Sequence, residues 1–551
     1  MKNMKLYRII PVLAALLTAA ACTDFDKLQP QSGTQLASQV QETNAILPER
    51  ASASFNGMIT NIGKPIKMYE TPDDWEFLMM MFCNDLEGAD ALIADNNYNW
   101  FSVCGEYSSR NANYRNPYIR YRAPYNMISD VNSFLDGFGE DVTDANSIYM
   151  IAQAHALRAY SYLMLAPAYQ FVTKKDKPCI PLLLPTIEDF THNPRATVEE
   201  VYKVIFEDLN YAVDHLDGYA RPTKAYINKA VALGLRARAH MDMQEWQDAY
   251  DDAAAAIQAA TAEGISPKTV DELAVALEKG TAFQSITEHD WIWGYDMTTD
   301  LAKNYPYATT SSWLRSLSAN GYAPATQCYT CINKMLYDKI PDTDIRKQWW
   351  VDESLQSSLI TSLTWNGNPD IANYSDGGDS KLPFLPYTNV KFGCKPIGTV
   401  DNDEDMPLMR IDEMYLIEAE CLAKISGKES QGATVLETYV KTYRDPSYSV
   451  NGRGLKLADE VWFQRRVELW GEGFGIFDTK RLGKPLVRFH DNENSSNISA
   501  AFRFNMKADD GWLLMRFPQG ELDTNFDIVD NSDGEMPKMD QNASLRDGVT
   551  D

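Results

Sequence analysis

Asn228-Lys-Ala-Val-Ala232-Leu-Gly-Leu-Arg-Ala-Arg-Ala239-His-Met241, a short polar turn, and Trp246-Gln-Asp-Ala249-Tyr-Asp-Asp-Ala253-Ala-Ala-Ala256-Ile-Gln-Ala-Ala260 decide the fold. Both segments carry helical periodicity, so they read as an amphipathic helix pair. The small residues Ala232, Ala239, Ala249, Ala253 and Ala256 let the two axes approach closely. Helix pairs with small residues at their crossings are the unit of tetratricopeptide-like arrays, although no strict 34-residue period is legible here.

Upstream, Thr197-Val-Glu-Glu200 forms a capping box, in which each side chain satisfies the other's free backbone donor. Val201, Ile205, Leu209, Ala212 and Leu216 follow as one apolar stripe. Ala154, Leu157, Ser161 and Leu165 place another helix before it, and Pro167 disturbs that pattern. Helical pattern resumes over Met409 to Ile425 and Ala458 to Trp470. The expected scaffold therefore spans about 145–262 and 406–483. Between them, about 264–405 is rich in Gly, Pro, Asn and aromatics without sustained periodicity, and reads as a loop-rich lobe. The polar, acidic end at about 531–551 reads as weakly ordered.

The first 21 residues read as a lipoprotein signal: Lys2, Lys5 and Arg8, an apolar run from Ile9 to Leu17, then Ala19 to Ala21 before Cys22. That run is too short to span a bilayer core, which takes about 20 apolar residues. Cys22 is the expected lipidation site, and acylation by two or more chains anchors stably. Residues 22–48 read as a polar spacer, and 49–551 as one globule. The formal net charge of −26 becomes −29 once Lys2, Lys5 and Arg8 leave with the signal. That balance argues against nucleic acid as a partner.

The late segment Arg465-Arg466-Val-Glu468-Leu-Trp470-Gly-Glu472-Gly473, followed by Phe477-Asp478-Thr-Lys480-Arg481-Leu-Gly483, resembles a signature of the SusD/RagB family, surface lipoproteins of Bacteroidota that capture nutrients. Ala152 to Tyr162, Cys179-Ile-Pro181, Thr197 to Ala212 and Arg410 to Glu420 are similar to further family segments, so the resemblance covers nearly the whole mature chain. Gly475 and the stretch after Asn525 depart from the pattern. The resemblance implies an all-α fold of about four tetratricopeptide-like helix pairs with a variable loop-rich lobe, and no catalysis. It also implies an outer-membrane address, facing the cell exterior, with a SusC-like TonB-dependent transporter as partner and oligosaccharide, or in some branches peptide, as ligand. Asp24 and Asp26, just after Cys22, resemble the family's export signal.

A pyranose ring has an apolar face that lies flat on an aromatic ring, so ligand contact is expected at rings in loop-like context. Trp100 and Trp313 come first, then Tyr305, Tyr307 and Trp291; Trp365 lies in the same lobe. Trp246, Trp462 and Trp470 lie on packed helices and read as core. A glycoside hydrolase would need two carboxyls roughly 5 to 9.5 Å apart in one cleft. Glu418 and Glu420 are two apart on a helix and face opposite ways, which favours structural ion pairs of Glu418 or Glu420 with Arg465 or Arg466.

No cofactor is expected. The six histidines show no zinc spacing, and Gly471-Glu-Gly473-Phe-Gly475 lacks the strand that precedes a dinucleotide loop. Asp401, Asp403 and Asp405 resemble the opening of a calcium loop, but Met406 replaces its glycine and Asp412 its bidentate Glu, so a solvated loop is the favoured reading over Ca2+. Cys328-Tyr-Thr-Cys331 reads as two ordinary cysteines or a disulfide, with a metal or redox pair the less favoured alternative.

Overall fold

The computed structural model describes residues 37–551 apart from 65–70, 94–99, 140–141, 186, 188, 278–282, 306, 319–320, 361–374, 377–378, 381–383, 395–400 and 492. Cys22, Asp24, Asp26 and Trp365 lie outside the described residues.

Twelve principal helices build the described frame: α1 (Ala37–Ile46), α2 (Pro48–Asn61), α3 (Glu76–Glu87), α4 (Arg115–Leu135), α5 (Ala145–Tyr169), α6 (Val198–His215), α7 (Lys229–Asp242), α8 (Trp246–Ala262), α9 (Ile411–Lys424), α10 (Glu429–Tyr443), α11 (Leu457–Glu468) and α12 (Gly475–Arg481). The pairs α5/α6, α7/α8 and α9/α10 stack in that order, while α2 and α4 pack together and close the array at α5. The expected all-α, tetratricopeptide-like architecture is what is observed.

Local chemistry explains the starts and the crossings. Thr197 Oγ1 accepts the Glu200 amide at 3.2 Å, and the Glu200 carboxylate accepts the Thr197 amide at 2.8 Å, which completes the capping box of α6. Ala232, Ala239, Ala249, Ala253 and Ala256 are all fully buried between α7 and α8. Two-pronged Arg–carboxylate contacts then mark three of the helix interfaces. Arg158 holds Asp208 across α5/α6, Arg236 holds Asp252 across α7/α8, and Arg238 holds Glu413 across α7/α9, with Nη2 to oxygen distances of 2.6 to 2.7 Å.

Helix α9 packs directly on α8 although about 150 residues separate them, so the lobe is an excursion from a continuous stack. Its neck is a two-stranded antiparallel ribbon, Trp291–Tyr295 against Met406–Arg410. Described lobe residues form short helices and strands of two to six residues.

The structure moves three boundaries. The helical frame begins at α1 and α2 rather than near residue 145, so part of the expected spacer is helical. Helix α3 was not legible because Phe77 to Glu87 is buried on every face and shows no amphipathic stripe. The acidic end is docked rather than loose: Arg466 Nη1 donates to Asp547 at 2.7 Å, and Val549 and Thr550 are buried beside it. Buried pairing overrides a composition that alone reads as solvent-facing.

Among the described residues no helix is long and apolar enough to cross a membrane.

Candidate ligand site

Trp100 ends an undescribed stretch and precedes the short helix Ser102–Glu106, with its side chain 40% exposed. The Arg115 guanidinium, at the start of α4, lies 5.2 Å from the Trp100 ring and is paired with Asp73. One ring face is thus backed by a cation while exposed area remains for a ligand.

A narrow recess with an accessible volume of about 10 Å³, room for about one water, lies beside Trp100, bordered by Asp73, Glu76, Met80, Asn116 and Ile119. Glu76 holds a left-handed backbone, φ +47°, which costs a non-glycine residue energy. Burial, reinforced by Asp74 and Asp130, pushes its carboxyl well above the usual carboxylate range. Among the described residues, the buried Asn116 amide nitrogen has no hydrogen-bond partner. An unpartnered buried donor and a carboxyl with raised proton affinity thus line the recess beside an aromatic face.

Trp313 joins this surface from below. Phe101, next to Trp100, meets Trp313 edge-to-face at 5.0 Å, and Trp313 stacks on Tyr322 at 4.3 Å. Its indole N–H donates to the Tyr307 carbonyl at 2.9 Å, and Ser312 Oγ donates to the same oxygen at 3.1 Å. Tyr307 is 54% exposed. Trp100 and Tyr307 thus sit on adjoining loops braced by one buried aromatic cluster.

Three of the five rings expected to contact ligand do not present a face. Trp313 is 1% exposed and covered by Phe101 and Tyr322, so it braces the site. Trp291 is fully buried in the neck ribbon, where it packs under Gly294. Tyr305 is half-buried, edge-on to Trp75 at 5.8 Å. Loop-like composition had marked all three, but the lobe packs its rings inward to bury apolar area.

Two models of one family match the chain. A model described as starch-binding and associating with the outer membrane matches residues 39–241, and the SusD family model matches 281–542. This chain belongs to the SusD family. A SusD-like carbohydrate binding protein from Bacteroides vulgatus shares its fold with a TM-score of 0.68 at 22% identity, over 87% of this chain and 97% of that one. A SusD superfamily protein from Bacteroides thetaiotaomicron gives 0.68 at 18%, over 88% and 99%. A laminarin binding SusD-like protein gives 0.55 at 16%, over 88% and 98%. No curated protein matches the sequence.

The SusD-family signature segment proves to be a framework. Arg466 pairs with Asp90 and Asp547, each at 2.7 Å, and Arg465 with Asp478 at 2.8 Å. Glu420 meets Arg481 at 2.5 Å and Arg465 only at 3.9 Å. Glu418 pairs with neither arginine and has no ion-pair partner among the described residues. Its place on the half-exposed flank of α9 points it away from α11. Burial alone pushes its carboxyl up to about 7.

Deeper in, Arg410 contacts Asp412, Glu468 and Glu472 at 2.7 to 3.0 Å, while Arg444 and Arg346 contact Glu468 at 2.7 and 3.2 Å. Lys391 of the lobe meets Glu472 at 2.7 Å. Burial opposes the Glu468 charge, but Arg444 and Arg410 overcome it and hold the carboxyl well below its usual value. Burial pulls Lys391 down to about 8 despite Glu472. This network locks lobe to scaffold.

At the Gly-rich turn, the Gly473 and Gly475 amides both donate to the Asp85 carboxylate, at 2.8 and 2.9 Å. Gly473 has φ +92°, and a Cβ there would meet Met81 at 2.8 Å, so only glycine fits. The motif binds an internal carboxylate.

Two of the calcium-like acids, Asp403 and Asp405, accept hydrogen bonds from lobe residues. Asp405 accepts the Ile286 and Met297 amides at 2.8 and 2.9 Å, and Asp403 accepts the Thr299 hydroxyl at 2.6 Å. Cys328 and Cys331 are both buried, without a disulfide between them. Sequence reading missed Asp73, Glu76, Arg115 and Asn116. The available signal was the acid-flanked Trp75 in Asp73-Asp-Trp75-Glu76, but their meeting beside Trp100 is long-range.

Proposed function

We propose that this SusD-family chain is an outer-membrane lipoprotein, anchored at Cys22 and facing the cell exterior, that binds oligosaccharide at the Trp100 face. It passes the glycan to a SusC-like TonB-dependent transporter and carries out no covalent chemistry. The observation that carries this reading is the half-open Trp100 ring beside a narrow recess lined by the unpartnered Asn116 amide and the half-buried Glu76 carboxyl. A pyranose stacked on the indole would place its hydroxyls against Asn116, Glu76 and the Asp73–Arg115 pair. The carbohydrate-binding and laminarin-binding relatives named above, and the starch-binding description of the matched model, support glycan as the ligand class.

Calorimetric titration with α- and β-glucan oligosaccharides tests it. Trp100→Ala should weaken binding by about 2 kcal/mol, roughly 30-fold, as expected for loss of a central aromatic contact. Unchanged binding in Trp100→Ala and Tyr307→Ala would place the site elsewhere. Sugar release by the purified protein would replace the binder with a glycosidase. Cys22→Ala should move the protein from the membrane fraction to the soluble fraction.

A further inference from the structure

His240, Glu245 and Asp248 come together at the turn between α7 and α8, far in chain and role from the Trp100 surface. One ring nitrogen of His240 and one carboxylate oxygen from each acid lie within 4.8 Å of one another. Among the described residues, this is the one such group close enough to share an ion.

The imidazole is held in place before any ion arrives. Its ring stacks on Phe206 of α6 at 4.4 Å between centroids. Nδ1 faces the Glu245 carboxylate at 2.7 Å, and Nε2 faces Asp252 at 3.7 Å. Asp252 is itself fixed by two bonds of 2.7 Å from Arg236. Asp252 lies behind Nε2 at charge-contact rather than hydrogen-bond distance, on the side where proteins place the carboxylate that orients a metal-bound histidine.

We propose that His240 Nδ1, Glu245 and Asp248 form a binding site for a first-row divalent cation, with Zn2+ the best match. The donor set decides the class. Calcium takes six to eight oxygens and magnesium keeps mostly water, whereas an imidazole with two carboxylates suits zinc, which binds such atoms at about 2.0 to 2.2 Å. The two carboxylates neutralise the ion. Glu245 and Asp248 stand on the solvent side and can close the gap by rotation, while His240 stays fixed. Water completes the fourth position. The ion would pin the turn of the α7/α8 pair to α6 through the His240–Phe206 stack.

The spacing explains why no zinc pattern was legible in the sequence. The ligands straddle a helix-to-helix turn instead of sharing one helix face.

The test uses the full mature chain without a histidine tag, stripped by chelator and titrated calorimetrically with ZnCl2. One Zn2+ per chain is expected, with an absorption-edge spectrum that shows one imidazole and light-atom ligands at about 2.0 Å. His240→Gln and Glu245→Gln should each remove binding. Asp252→Asn, which removes the charge behind Nε2 and weakens the Arg236 pair but leaves all three proposed ligands, should weaken it about 10- to 100-fold. His289→Gln, beside the exposed Glu272, should bind as wild type. Circular dichroism of the metal-free variants should match wild type, which separates lost ligation from lost folding. Absence of Zn2+ binding in the wild type, binding retained in both His240→Gln and Glu245→Gln, loss in His289→Gln, or equal competition by Ca2+ would each overturn the proposal.

Discussion

Trp313 donates its indole N–H to the carbonyl of Tyr307 at 2.9 Å, so a buried ring holds the loop that displays an exposed one. Its Phe101 contact extends the same brace to the Trp100 loop. The two tryptophans therefore have separable roles. Trp313→Ala should lower stability by about 3 to 5 kcal/mol and weaken glycan binding with it. Trp100→Ala should weaken binding with little change in melting temperature. Thermal denaturation and calorimetry on both variants check the separation.

Glu468 is shared by Arg346, Arg410 and Arg444 inside the frame. Glu468→Gln leaves buried arginines undercompensated and should cost about 3 to 5 kcal/mol in denaturant titrations. The arginines hold the folded-state carboxyl below its unfolded value. Its contribution is therefore full above the unfolded value of about 4.3 and is lost as pH falls toward the folded one. Wild type should lose stability more steeply than the variant over that acid range.

Glu418 behaves in the opposite sense. Burial raises its folded-state carboxyl to about 7 with no cation to offset it. Folding then favours the protonated form, so stability falls as pH rises from about 4.3 to about 7 and levels off above. Glu418→Gln should gain about 1 kcal/mol at pH 8, a figure reduced for its partial exposure, and nothing at pH 4. Melting temperatures at the two pH values measure it.

The docked end should matter to stability. Arg466 divides its guanidinium between Asp90 and Asp547. Asp547→Ala removes one charged partner and the acceptor of the Val549 and Thr550 amides, for a loss of about 1 to 3 kcal/mol. Limited proteolysis should then cut the end while wild type resists.

Fold and site differ in how much of them the sequence carried. Periodicity, the Thr197–Glu200 capping box and the alanine crossings of α7 and α8 are written within a few residues of each other, so the helical array was legible. Helix α3 was not, because burial on all faces erases the stripe by which a helix is recognised. Trp313 and Trp291 have the same loop-like neighbours as Trp100, yet only packing separates the braces from the face that meets ligand.

By itself, the sequence determined the helix pairs, the family signature at Arg465 to Gly483 and the lobe between the two helical stretches, since each rests on local spacing and composition. The tertiary structure alone decided which rings stay exposed, that Asp73, Glu76 and Asn116 meet Trp100, that Glu420 is held mainly by Arg481, and that the acidic end docks. Those outcomes depend on burial and on charge pairs between residues tens to hundreds of positions apart, such as Asp90 and Arg466, which no local pattern encodes.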